Sequence, residues 1–155
     1  MATISLRDYF SEINSLIDAA GYNEAIFHCT NILTSYPKCA EVYRLLGRAL
    51  LEAGRTSDSM DVFIKLLSVI PDDFSAHAGL SDIFERNQQY DKAIWHMERA
   101  FESQPSNVLV QEELRKLYTA RDGIPPAKIR LTRGALVRMY AKGELYQQAI
   151  SEALS

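Results

Sequence analysis

Three prolines constrain this chain more than any other feature. Pro37, Pro71 and Pro105 stand 34 residues apart, and each follows one helix-like stretch and precedes another. Proline lacks an N–H and its ring collides with the preceding helical turn, so each marks a point where a helix must stop. Aligning the chain on these prolines brings other residues into phase. The first segment offers Tyr9, Glu12, Ile13, Leu16, Ala20, Ala25, Cys29 and Ile32. At the same offsets the second offers Tyr43, Leu46, Gly47, Leu50, Gly54, Ser59, Phe63 and Leu66, and the third His77, Leu80, Ser81, Phe84, Gln88, Ala93, Met97 and Ala100. Each period holds two helical patterns, with short turns at Ala20-Gly21, Gly54-Arg55-Thr56 and Asn87-Gln88-Gln89. Small residues at Gly47, Ser59, Ser81 and Ala93 let paired helices approach, and the large ones fill the space between pairs. Ser5, Thr56 and Asp73 are placed as helix N-caps.

This pattern resembles the tetratricopeptide repeat family, whose 34-residue unit is a helix–turn–helix. The resemblance implies an all-α fold, a right-handed superhelical solenoid of such repeats forming a single domain over 1–155. Its units are expected at about 6–39, 40–73 and 74–107, with partial units at 108–121 and 130–155. Between the partial units, Gly123 and the pair Pro125-Pro126 cannot sit inside a helix. The reading is an irregular loop over about 122–131 with Thr132 capping the next helix; the alternative starts a helix at Pro126. In the fourth unit Val108, Leu114, Leu117 and Tyr118 are predicted to make one face. In the fifth, Ala149 takes the close-packing slot and Leu145, Ile150 and Leu154 lack a neighbour. That leads us to expect either self-association through the C-terminal end or a chain continuing past Ser155.

Most chemistry is excluded early. A chain that is 47% hydrophobic is too apolar for disorder, yet no run approaches the length of a membrane span. A soluble, cytoplasmic protein without a membrane partner is expected. His28, His77 and His96 are scattered, and Cys29 and Cys39 lack metal-ligand spacing, so neither metal nor cofactor is expected. Cys29 falls on an inward helix face, as a buried and inert thiol. With no phosphate loop and no nucleophile elbow, the chain reads as a non-enzyme.

Binding is the function left. In the family that the chain resembles, the first helix of each unit lines a concave groove, which puts Phe10, Asn14, Arg44, Arg48, Asp82, Glu85, Arg86 and Lys116 there. Leu45 and Leu51 are assigned to the same face. Arg44 and Arg48 lie one turn apart near Asn14, where two guanidinium forks and an amide could hold a carboxylate or an extended peptide. The competing reading pairs them with Glu41, Asp82 or Glu85. Family members that bind chaperone C-termini carry a clamp whose positions fall here on Phe10, Asn14, Leu45, Ser75 and Gly79. Only Asn14 matches, which disfavours a chaperone tail as partner.

A second surface is electrostatic. Arg115, Lys116, Arg121, Lys128, Arg130, Arg133, Arg138 and Lys142 share their stretch with the single acid Asp122, giving it +7 within a chain of net charge −3. Such a basic patch suits an anionic partner. Nucleic acid is unlikely, because Tyr118 and Tyr140 look core-facing rather than laid out for base stacking. The expected function is a non-catalytic protein–protein interaction scaffold presenting its groove to a peptide or protein. The alternatives are a regulatory or targeting segment of a larger enzyme or signalling protein and, more weakly, a basic-surface nucleic-acid adaptor.

Overall fold

The computed structural model describes residues 5–155, among which there are helices and no strands. The helices are α1 (Leu6–Asp18), α2 (Tyr22–Ser35), α3 (Ala40–Glu52), α4 (Thr56–Val69), α5 (Phe74–Arg86), α6 (Tyr90–Ser103), α7 (Val108–Asp122), α8 (Arg133–Lys142) and α9 (Tyr146–Leu154). The three predicted units each contain two helices. The chain divides into two compact units, one ending at Pro71 and the other beginning at Asp72.

The turn inside each helix pair repeats one backbone solution. Ala20, Gly54, Gln88 and Glu144 all adopt left-handed conformations, with φ of 61°, 77°, 58° and 58°. The following N–H then reaches the carbonyl five residues back: Gly21 to Leu16 (2.7 Å), Arg55 to Leu50 (2.8 Å), Gln89 to Phe84 (2.9 Å) and Leu145 to Tyr140 (2.8 Å). This motif satisfies carbonyls that the end of a helix leaves orphaned. It also moves the cap of the next helix. Thr56, expected as an N-cap, is the first residue of α4, and Arg55 stands at the cap position without a side-chain capping bond, its guanidinium pairing with Asp58 instead. Ser5 and Asp73 do cap, accepting from the N–H of Asp8 and of Ala76.

Only Gly54 escapes the cost of a Cβ at this turn, which is about 1–2 kcal/mol for other residues. Gln88 is exposed and its side chain makes no hydrogen bond among the described residues. Gln88→Gly should therefore stabilise the protein by about 0.5–1 kcal/mol, after the greater chain entropy of unfolded glycine is subtracted. Urea unfolding of the variant measures this, and a lowered midpoint would contradict it.

In the first unit, α3 packs against α1, α2 and α4. Its core gathers Ile13, Ile17, Ala25, Cys29, Ile32, Val42, Leu45 and Ala49. Leu45 and Leu51, read as groove residues, are only 4% and 5% exposed and belong to the interior. Where Glu12 departs from the apolar pattern, the position is exposed. Ser59, another departure, has a structural reason: its buried hydroxyl donates to the Gly47 carbonyl at 2.8 Å. The second unit uses the same two slots with the roles exchanged, Ser81 donating to the Ala93 carbonyl at 2.8 Å. In each case one hydroxyl crosslinks two closely packed helices at a place too tight for a larger side chain.

The second unit is built around α6, which packs against α5, α7 and α8. Its core includes Ala93, Met97, Phe101, Val110, Leu114, Leu117 and Ala135. On α7, Val110 rather than Val108 takes the inner position, and Val108 is 62% exposed. The proline-rich segment between α7 and α8 is a loop. Gly123 ends α7 in a left-handed conformation, and the Thr132 hydroxyl caps α8 by accepting from the Ala135 N–H.

After the loop, α8 docks on α6, and α9 packs on α8. Three features hold α8 there. The Thr132 hydroxyl donates to the Glu102 carboxylate at 3.0 Å, and Arg138 reaches Asp72 at 3.0 Å. Gly134 brings the backbone so close that a Cβ would stand 2.7 Å from the Glu102 carboxylate. An anion at the first turn of a helix is favoured by the helix dipole. The opposite side of this helix pair stays open, with Leu145, Ile150 and Leu154 at 47%, 53% and 84% exposure.

Candidate interaction surface

The predicted groove residues fall in both units. In the first, α1 and α3 lie side by side and Arg48 bridges them. Its guanidinium donates to the Asn14 amide oxygen at 3.2 Å and to the Asp18 carboxylate at 2.6 Å. Arg44 pairs with Glu41 at 2.8 Å on its own helix. The two forks and the amide predicted to cooperate are thus near one another, but each arginine already holds a carboxylate of this chain. Phe10 is half-buried and packs against the core beside them. Exposed ion pairs of this kind contribute about 0–1 kcal/mol each, so a ligand carboxylate can exchange with them at little cost.

In the second unit Lys116 on α7 reaches Glu85 on α5 at 3.1 Å and Glu113 at 2.8 Å. These carboxylates hold the Lys116 ammonium above its ordinary pKa, so it stays charged. Arg86 forms two bonds to Asp82, at 3.0 and 2.8 Å. Both units therefore join successive first helices through a cation on the later helix and an anion on the earlier one. That pairing, Arg48 with Asp18 and Lys116 with Glu85, was not foreseen from the sequence.

The basic segment separates into two sets. Lys116, Arg121, Arg133 and Arg138 are paired with Glu85 and Glu113, with Asp91 and Asp122, with Glu152, and with Asp72 respectively. Arg121 holds the Asp122 carboxyl below its usual range, and Arg138 does the same for Asp72. Arg115, Lys128, Arg130 and Lys142 are exposed and make no ion pair among the described residues. A surface read as eight available cations thus offers four.

Cys29 and the three histidines sit in packed or hydrogen-bonded positions. Cys29 is fully buried, and burial pushes its thiol up to about 12, so it carries no thiolate at neutral pH. The histidines serve as packing and hydrogen-bonding groups. The Tyr9 hydroxyl meets His28 Nδ1 at 2.6 Å, and 68 residues later His77 Nδ1 meets His96 Nδ1 at 2.9 Å in the same slots. In the intervening period the position equivalent to His28 and His96 is Val62, and the Tyr43 hydroxyl donates instead to the Pro37 carbonyl at 2.9 Å. Gln111 repeats that bond to Pro105 at 2.9 Å. Among the described residues no three of His, Cys, Asp and Glu converge as metal ligands, and no helix is long and apolar enough to cross a membrane.

Comparison with known proteins follows this geometry. Residues 16–83 match the family described as Tetratricopeptide repeat. No curated protein matches in sequence. Among solved structures, the first TPR domain of human RPAP3 superposes with a TM-score of 0.68 at 18% identity, covering 74% of this chain and 90% of that one. MamA, residues 41 to the end, from Desulfovibrio magneticus RS-1 gives 0.64 at 16%, covering 90% and 74%. A putative kinesin light chain of Podosopora anserina with nearly identical TPR-like repeats gives 0.64 at 14%, covering 96% and 91%. At such identities the likeness is one of fold.

Proposed function

We propose, for a chain whose residues 16–83 belong to the tetratricopeptide repeat family and whose remaining helices continue an all-α repeat fold, a non-catalytic role as a protein-binding scaffold. Repeats of this family serve in general as protein-interaction surfaces. The finer reading is that the exposed faces of the first helices, α1 with α3 and α5 with α7, receive an extended peptide or a protein segment. One observation carries it: Arg48 spans α1 and α3 and is held by two acceptors at the surface, Asn14 and Asp18. The guanidinium is fixed before a partner arrives, so binding spends little side-chain entropy on it. A peptide carboxylate or backbone carbonyl takes over one of these bonds and keeps the fork geometry.

The test is a double substitution. Arg44→Ala with Arg48→Ala removes ion pairs at the surface and the Arg48–Asn14 hydrogen bond, and leaves the buried apolar core untouched, so the melting temperature should stay within a few degrees. Proteins crosslinked to the parent in lysate should be lost from the variant, and quantitative mass spectrometry of both samples measures this. Unchanged capture by the folded double variant would remove the α1–α3 face from the reading.

A further inference from the structure

The second unit contains a pocket that the repeat pattern does not account for. Regular helix pairing stops at Gly123, the chain runs as a loop to Thr132, and α8 then docks on α6. Between the C-terminal end of α6, the turn at Pro105, the loop and α8 lies a cavity of about 390 Å³. Its apolar wall is made by Phe101, Ile129, Leu131 and Met139, and Lys128, Arg138 and Lys142 also line it. Among the described residues no carboxylate does. Asp72, the acid bonded to Arg138, is already engaged by that bond. Lys128 and Lys142 come from separate elements, the loop and the last residue of α8, and neither has an ion-pair partner among the described residues. An apolar floor bordered by uncompensated ammonium groups is complementary to a ligand that is apolar at its centre and anionic at its edges.

We propose that this pocket is a second docking site, for an acidic peptide segment carrying a large apolar anchor side chain. The anchor fills the space between Phe101, Leu131 and Met139, and acidic residues beside it meet Lys128 and Lys142. The cavity volume suits one or two large side chains, and the lysines are rim charges that orient the segment and hasten its arrival. The site is separate from the α1–α3 face, and neither reading depends on the other.

The probe is a fluorescein-labelled peptide in which Leu-Phe is flanked on each side by Asp-Glu, compared with one carrying Lys-Lys on both sides. Anisotropy titration on the full chain should show saturable binding of the acidic peptide only, weakening as salt rises. Lys128→Glu with Lys142→Glu should weaken it roughly tenfold or more while circular dichroism stays unchanged, since both side chains are exposed and unpaired. Methyl signals of Ile129, Leu131 and Met139 should shift on titration, and the Arg44→Ala, Arg48→Ala protein should bind as the parent does. Equal binding of the basic peptide, unchanged binding by the charge-reversed variant, or no saturation at millimolar peptide would each overturn the proposal. So would shifts confined to the first unit, which would assign the peptide to the α1–α3 face instead.

Discussion

Gly47→Ala is expected to lower stability by about 2 kcal/mol, although by helix propensity alone it should help. Gly47 lies inside α3, where alanine is favoured over glycine by about 1 kcal/mol. The added Cβ, however, would stand 2.4, 2.7 and 2.9 Å from three ring carbons of Phe63. That ring is 2% exposed and cannot swing into solvent. Overpacking a buried contact costs about 1–3 kcal/mol, and so deep an overlap belongs at the upper end. The packing loss therefore exceeds the propensity gain. Denaturant unfolding of Gly47→Ala, Phe63→Leu and the double variant forms a thermodynamic cycle. In the Phe63→Leu background the alanine should cost far less, because leucine leaves room for it, giving a coupling of 1 kcal/mol or more, on the order seen for residues in contact. Additive losses would show that the Gly47–Phe63 contact is not what limits this position.

That slot also marks how far the sequence could be read. The 34-residue proline phase located the three regular helix pairs, and the alternation of small and large residues identified Gly47, Ser59, Ser81 and Ala93 as close-packing positions. All four are buried. Composition did not reveal why serine is tolerated in two of them, because a hydroxyl facing a carbonyl twelve residues away is a property of the packed pair. The left-handed turn residues were hidden for a related reason. Glycine advertises such a conformation, whereas Ala20, Gln88 and Glu144 adopt it because both flanking helices hold the backbone there. On the surface, charge counting located the basic segment but not its availability. Pairings such as Arg138 with Asp72, 66 residues apart in sequence, depend on the docking of α8. Gly134, which permits that docking, carries no signature in sequence beyond being a glycine in a helix. The groove arginines illustrate the same limit: neighbours one turn apart are legible, and the carboxylate each one holds is not.

Acid should expose the histidine pair. His77 and His96 face each other through their Nδ1 atoms at 2.9 Å, a hydrogen bond that requires one nitrogen to donate and the other to offer a lone pair. Protonating both rings would remove the acceptor and put two positive charges in contact. His96 also stacks on Phe84 and meets Trp95 edge-on. Burial first, and the neighbouring His77 second, depress its pKa from 6.5 to about 4. Between those values the unfolded chain binds a proton that the folded chain refuses. Stability is therefore complete above about pH 6.5, declines as pH falls through the interval, and levels off below about 4. Such a depression corresponds to about 3 kcal/mol in full, and nearer 2 for a ring still partly in contact with solvent. His96→Gln offers His77 a polar partner that does not titrate. Its stability at neutral pH should remain close to that of the parent, and the parent's extra loss between pH 6.5 and 4.5 should disappear. Carboxylates titrating nearby, Asp72 among them, are common to both proteins and cancel in the difference. Urea unfolding at pH 7, 5.5 and 4.5 on the two proteins measures it. Parallel pH profiles would mean that His96 takes up its proton in the folded state as readily as in the unfolded one.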